Sequence, residues 1–241
     1  MRELRTRFGR YQLGYLWALL EPGIHVLVLV TLFSFFLGRV KIGISFPVFF
    51  VAGIVPWFLF NNIAVRSLKA VNANAGLFNY KLLKPIDTVL ARVALELLIY
   101  SIVYVALLAV VRGMGAPVHI SNLFKLIGSF IAVGCFATGI GLVFMVIGEF
   151  FAESEKIVPM LIQPLYFLSG VLVSANQIPV DYRGYLLWNP LFHAIEVGRG
   201  ALSPNYEVGE VSLFYVFVCA LIANVAGLWV YRISERKLMS R

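Results

Sequence analysis

Arg92 and Glu96 are the two charged residues whose type and spacing come nearest to working chemistry in this 241-residue chain. Four residues apart, they fall on one helix face and can pair there. Glu96 is the only acid well inside an apolar run, and such an acid is either half of an interface-level pair or part of a transport path. The rest of the polar inventory builds no catalytic constellation. His25, His119 and His193 are scattered, so no metal site is expected. Cys135 and Cys219 stand in separate apolar runs and read as small packing residues. Gly134-Cys-Phe-Ala-Thr-Gly139 has the glycine spacing of a phosphate loop. Ile140-Gly141 replace the Lys-Ser/Thr that would hold phosphate and magnesium. No catalytic residue, metal or cofactor is therefore expected in this chain, and any ATP and Mg chemistry must come from a partner.

These residues are carried by a chain made for a bilayer. Hydrophobic residues make up 61% and charged residues 13%, with a mean hydropathy of +0.88; a soluble domain is about 25% charged. Six apolar stretches, near 22–37, 46–65, 88–111, 123–147, 157–173 and 211–231, predict six transmembrane helices in an all-α integral membrane protein. The first and fifth are at the short end of what a crossing needs. Met1 to Arg10 is basic, but no isolated apolar run with a small-residue cleavage site follows, so no cleavable signal is expected.

The placement of basic residues orients the spans. Arg2, Arg5, Arg7, Arg10, Arg66, Lys69, Lys81, Lys84, Arg92, Lys156, Arg232, Arg236, Lys237 and Arg241 share one side, which makes it the cytoplasmic one and puts both termini there. The other side holds Arg39, Lys41, Arg112, Lys125, Arg183 and Arg199. The net charge of +8 is accounted for by anionic lipid headgroups, with no need of nucleic acid.

Three segments are built differently from the spans. Residues 1–20 predict an amphipathic helix in the interface, with Leu4, Phe8, Tyr11, Tyr15 and Leu19 in one narrow sector and the arginines outside it. Glu21-Pro22 is expected to turn the chain into the first span. Between spans two and three, residues 70–85 form a built loop. Asn72 or Asn74 can cap a short helix that ends at Lys84-Pro85, with Leu77, Phe78, Tyr80, Leu82 and Leu83 on it. Its apolar residues either dock a cytoplasmic partner or dip among headgroups. The next loop on that side is short and acidic, with Glu153 and Glu155, which favours partner contact over lipid contact. After span five, the stretch 177–196 is hydrophobic but broken by Pro179, Pro190, Asp181 and Arg183. Such backbone persists at membrane depth only when protein or a water-filled cavity surrounds it. In span four, Gly134, Gly141 and Gly148 recur every seven residues and predict a groove for close helix packing.

Several local strings resemble permeases of the type 2 ABC exporters, specifically the capsular polysaccharide export family. They are Leu13-Gly-Tyr-Leu-Trp-Ala-Leu-Leu-Glu-Pro22, Gly53-Ile-Val-Pro-Trp-Phe58, Asn79-Tyr-Lys-Leu-Leu-Lys-Pro85, Ser169-Gly170, Ile178-Pro179, Asn189-Pro-Leu191 and Glu196-Val-Gly-Arg199. They are spread over most of the chain, which reads as one transmembrane domain, 1–241. The Gly-Tyr-Leu-Trp opening is the string most specific to polysaccharide export; Ser-Gly and Asn-Pro-Leu are shared across type 2 exporters.

The resemblance implies a half-transporter of the bacterial inner membrane. A second copy completes the channel, two separate ATPase subunits drive it, and periplasmic and outer-membrane export proteins receive a lipid-linked polysaccharide. It also implies a coupling helix near 74–83 and short re-entrant helices on the periplasmic side near 177–186 and 190–201, within a segment 174–203. O-antigen, teichoic acid or another lipid-linked substrate are the alternatives within the family. An ion-coupled secondary transporter would need inverted repeats that the sequence lacks, and a glycosyltransferase would need a larger soluble domain.

A sliding polysaccharide calls for weak, repeated contacts, which aromatic faces supply. The candidates are Phe33, Phe36, Trp57, Phe60, Tyr166 and Phe167, each weighed against simple packing or a lipid-facing position. Tyr166 heads them, because its hydroxyl needs a partner. Arg39, Lys41, Arg183 and Arg199 are expected either to meet a polyanionic glycan or to snorkel to lipid phosphates.

Overall fold

The computed structural model describes residues 17–37, 43–74, 76 and 83–239. Among these residues the chain is mostly helical, without strands. In chain order the helices are α1 (Trp17–Leu37), α2 (Phe46–Ser67), α3 (Ala70–Asn74), α4 (Pro85–Gly113), α5 (Leu123–Phe150) and α6 (Ser154–Leu168). A 3-10 turn (Ala175–Gln177), α7 (Val180–Leu186), α8 (Pro190–Leu202) and α9 (Leu213–Met239) complete them.

Four helices are long and apolar enough to cross a bilayer: α2, α4, α5 and α9 over Leu213–Leu238. The apolar part of α1 is the shorter Leu19–Phe33. The expected span 157–173 is cut to α6, whose 15 residues measure about 22 Å. Gly170, with φ of 72°, ends it, because this left-handed backbone favours glycine.

The first helix corrects a second expectation. It runs without a turn through Glu21-Pro22, and Pro22 lies inside it. The ring forfeits one backbone bond within a helix that otherwise continues. Of the interface helix expected over 1–20, residues 1–16 lie outside the described residues and 17–20 belong to α1.

Helix α2 is the axis of the bundle. It is buried without interruption from Val48 to Trp57, as expected of a helix that is hydrophobic all round. Helices α1, α4, α5, α6 and α8 all pack on it. Helices α5 and α9 form the closest pair. A Cβ on Gly139 would stand 2.4 Å from the Ala223 carbonyl carbon, and one on Gly227 would stand 2.6 Å from the Gly139 oxygen. Asn224 Nδ2 seals the pair by donating to the Cys135 carbonyl at 2.8 Å.

The glycine groove expected on span four is present. Gly134 faces Leu97 of α4, Gly141 faces Ser67 and the Ile63 carbonyl of α2, and Gly148 faces the Leu68 carbonyl. Small residues here let the α2 backbone and the Leu97 side chain of α4 approach α5 closely.

Two ion pairs tie the loops at the other end of the bundle. Lys69 Nζ meets Glu155 Oε2 at 2.8 Å, and Lys84 Nζ meets Glu235 Oε1 at 3.0 Å. Lys84-Pro85 opens α4, where the Asp87 carboxylate accepts the Lys84 N–H at 2.9 Å. Asn72 and Asn74 lie within α3, and Asn74 Nδ2 donates back to the Ala70 carbonyl; most of the short helix expected after them lies outside the described residues.

Candidate functional site

The broken stretch after α6 folds into a clip whose parts come from distant motifs. Asn189 caps α8, its Oδ1 accepting the Leu191 N–H at 3.0 Å, and Pro190 follows at the first helical position, where its missing N–H costs nothing. The Asn189 amide also donates to the Leu168 carbonyl at 3.2 Å and to Ser169 Oγ at 3.0 Å. One asparagine thus starts α8 and ends α6. Gly170 fits beneath Phe192, whose ring carbons would lie 2.7 Å from an added Cβ.

Arg199 is the centre of the clip. Its side chain is fully buried and paired with Glu196 at 2.7 Å, three residues back on α8. It donates to the carbonyls of Gly170 at 2.6 Å, Val171 at 2.9 Å and Phe49 at 3.4 Å. Its guanidinium carbon sits 3.4 Å from the Phe49 ring centroid. Gly53 makes room: a Cβ there would lie 2.7 Å from Arg199 Nη2. Tyr206 Oη lies 2.9 Å from both oxygens of Glu196 and 2.8 Å from Ser174 Oγ. Burial first, then the Glu196 charge, push the Tyr206 phenol up, while Arg199 pulls the other way.

The expectation that Arg199 faces a glycan or lipid phosphates is therefore corrected. A guanidinium buried among carbonyls, a carboxylate and a ring is a structural fastening. The i, i+3 spacing of Glu196 and Arg199 was the sequence signal for it.

His193 fixes the far side of α8. Its Nε2–H donates to the Leu187 carbonyl at 2.8 Å and its Nδ1 accepts the Ser212 N–H at 2.9 Å. Burial lowers its pKa, opposed by the Leu187 bond, which suits the neutral ring that this pair of bonds requires.

Beyond the clip lies an aromatic cluster that gathers four of the sequence candidates. Trp57 lies edge-on to Tyr166 with centroids 5.5 Å apart, and Phe60 is tilted against Trp57 at 5.8 Å. Phe60 stacks on Phe136 at 5.7 Å, while Phe167 meets Tyr166 at 5.4 Å. The hydroxyl of Tyr166 finds its partner in His25 of α1, with Nε2 at 2.8 Å.

Trp57 and Phe60 are buried under the cluster and Phe167 is exposed, so the rings differ in access. Helix α6 buries Ser154, Val158 and Ile162, packs Leu165 and Tyr166 against the core, and leaves Met160, Leu161, Phe167 and Leu168 exposed. A cavity of about 410 Å³ is lined by Phe60, Phe136 and Leu165 together with Tyr185, Trp188 and Asn189.

The other candidates stand apart. Phe33 packs on Phe50 at 5.0 Å, away from this cluster. Arg183 of α7 donates to the carbonyl of Ile178, just ahead of that helix, at 3.1 Å. Arg92 and Glu96 are both buried, and Arg92 Nη1 donates to the Arg66 carbonyl. Leu83 is exposed and Glu155 is held by Lys69, while Glu153 precedes α6. The side chain of Phe36 and residues Arg39, Lys41, Leu77, Phe78, Tyr80 and Leu82 lie outside the described residues. His25 was missed as a site residue, because its partner is 141 positions away.

The comparisons with known proteins agree with one another. The family profile described as ABC-2 type transporter matches residues 1–203. The chain is 44% identical over 240 residues to the polysialic acid transport protein KpsM of Escherichia coli, covering all of this chain and 93% of that one. It is 26% identical over 228 residues to the capsule polysaccharide export inner-membrane protein CtrC of Neisseria meningitidis serogroup B (95% and 86% covered). It is 25% identical over 235 residues to the O-antigen export system permease protein RfbA of Klebsiella pneumoniae (95% and 88% covered). An all-helical chain with four bilayer-length helices and a full-length match of this strength belongs to the ABC-2 type transporter family.

Proposed function

We propose that this chain is the permease subunit of an ATP-driven exporter that moves capsular polysaccharide across the bacterial inner membrane. The observation that carries the reading is the full-length, 44% match to a polysialic acid transporter, joined to an aromatic cluster on the loosely held helix α6. The 25% match to an O-antigen permease makes capsule the better of the two glycans. With Ile140-Gly141 where a phosphate loop needs Lys-Ser/Thr, ATP and Mg belong to two separate ATPase subunits.

In this reading two copies face each other across α1 and α6, and the glycan passes between them. Tyr166, oriented by His25, and Phe167 offer ring faces to the sugar, with Trp57 and Phe60 buttressing them from beneath. Aromatic rings suit a sliding polymer because they are apolar on the face and, in Tyr, polar at the edge. Both termini lie in the cytoplasm by the basic-residue asymmetry, so α7 and α8 form the re-entrant periplasmic segment, and α1 and α6 complete six crossings. The segment 74–83 is the coupling helix, and periplasmic and outer-membrane export proteins accept the glycan.

The test is complementation of a capsulate strain deleted for its own permease gene. The chain restores surface polysaccharide, and alanine at Trp57, Phe60 and Tyr166 lowers it several-fold at unchanged membrane abundance. Normal surface polysaccharide in all three variants would rule out this aromatic path. If the chain inserts and retains its ATPase but restores only O-antigen export, the capsule assignment is wrong.

A further inference from the structure

Helices α4 and α5 part toward the 114–122 loop, and a cavity of about 650 Å³ opens between them. Its walls are almost wholly apolar: Leu97 and Tyr104 from α4, Leu126 and Phe130 from α5, with Ile120 of the loop across the top. The loop is fastened rather than free to swing. The Ser121 N–H donates to the Ala201 carbonyl at 2.8 Å, its hydroxyl donates to the Gly200 carbonyl at 2.9 Å, and the His119 N–H reaches the Leu202 carbonyl at 3.3 Å. The groove is thus a preformed slot whose roof is held by α8.

Its dimensions and charge identify an occupant. From Leu97 to Arg112 the slot follows α4 for about 22 Å at 1.5 Å per residue. Half of a bilayer's hydrocarbon core is about 15 Å, so one slot holds a full acyl chain with its headgroup beyond the apolar wall. Arg112 stands at that mouth, exposed, and its guanidinium has no hydrogen bond or ion-pair partner among the described residues. Lys125 lies at the same end of the bundle, and no acid occurs anywhere from Arg112 to Lys125. A narrow apolar slot ending in an unpaired cation fits a lipid with a negative headgroup better than it fits a protein surface.

We propose that this groove is a resident lipid site, holding one acyl chain of an anionic glycerophospholipid whose phosphate sits on Arg112. The lipid fills the gap between α4 and α5 under a roof tied to the clip, and so supports the clip from the membrane side. The proposal rests on the chain spanning the membrane and is independent of which glycan is exported.

Native mass spectrometry of the full chain, purified with its ATPase partner and relipidated with phosphatidylglycerol or phosphatidylcholine, tests it. The wild type should retain phosphatidylglycerol in preference to phosphatidylcholine through detergent washing. Arg112→Gln should lower that preference about fivefold, the effect of one basic residue on an anionic lipid. Ser101→Trp, which fills the slot, should abolish retention of both lipids. Arg112→Gln alters an exposed side chain and decides the matter alone if Ser101→Trp does not fold. Equal retention of the two lipids by the wild type, or an unchanged preference in Arg112→Gln, overturns the proposal. So does retention confined to lipid that carries the exported glycan. A Val105→Cys disulfide between copies, formed in a Cys135→Ser, Cys219→Ser background, would show instead that a second copy covers the slot.

Discussion

At the scale of single residues, Arg199 shows how a charge survives among apolar side chains. Four of its N–H groups point at a carbonyl or at Glu196, and its flat face lies on Phe49. Removing one partner strands the other, which typically costs about 3–5 kcal/mol for a buried pair. Glu196→Gln and Arg199→Met should therefore each lower the melting temperature of the purified protein and its membrane abundance. The double variant should be less damaging than the two losses summed, because no charge is left behind. Additive losses in a double-mutant cycle would mean that the ion pair does not couple. These roles were partly legible in the sequence. Glu196 and Arg199 are one helical turn apart, and a charge pair at that spacing within an apolar run signals mutual neutralisation. The carbonyls of Gly170, Val171 and Phe49 were not legible, since only the folded chain brings them to the guanidinium. The same holds for Tyr166: its need for a partner could be read, but the partner, His25, could not.

At the scale of elements, the bundle is held by places where a helix has no side chain. The heptad of glycines on α5 was readable as a packing groove, because membrane helices gain by close backbone approach. What each glycine meets could not be read, since three different elements share the groove. Gly148 is the tightest: an added Cβ would lie 2.1 Å from the Leu68 carbonyl oxygen, and that backbone cannot rotate aside. Gly148→Ala should push α5 from the α2–α3 junction and cost about 1–3 kcal/mol, as overpacking does. Gly113→Ala is the control, because an added Cβ meets nothing within 4 Å there. Its stability should stay within about 0.5 kcal/mol of wild type. Equal thermal stability of the two variants would show that the groove tolerates separation. The helix ends were harder to place. The apolar run to Val173 is continuous in sequence, yet α6 stops at Leu168, because Gly170 turns the chain to meet Phe192 and Arg199. Hydropathy measures what a segment can bury in, not where a glycine lets it turn.

At the scale of the whole molecule, the two ends of the bundle are built for different work. One end is locked: α8 is buried in the bundle, and its charged residues are spent on internal bonds. The other is strung together by the surface pairs Lys69–Glu155 and Lys84–Glu235. Surface pairs of this kind contribute about 0–1 kcal/mol each, so they set geometry more than stability. Both loops of that end and the last turns of α9 are linked by them, and the segment 74–83 lies between their anchor points Lys69 and Lys84. In the proposed reading, a force applied to that segment by an ATPase would reach α6 through Glu155, α4 through Pro85 and α9 through Glu235. Helix α6 buries only Ser154, Val158 and Ile162 fully, and it carries Tyr166 and Phe167. Replacing Phe78 and Leu82 with Asp should detach the ATPase or uncouple hydrolysis from export while leaving membrane insertion intact, because a carboxylate cannot occupy an apolar docking pocket without a partner. Lys69→Ala with Lys84→Ala should keep the ATPase bound but weaken the dependence of export on its turnover. The measurements are copurification of the ATPase and its hydrolysis rate per unit of surface polysaccharide. If the Asp variant still copurifies the ATPase and exports at the wild-type rate, the drive enters the permease elsewhere, and the acidic turn at Glu153 becomes the place to look.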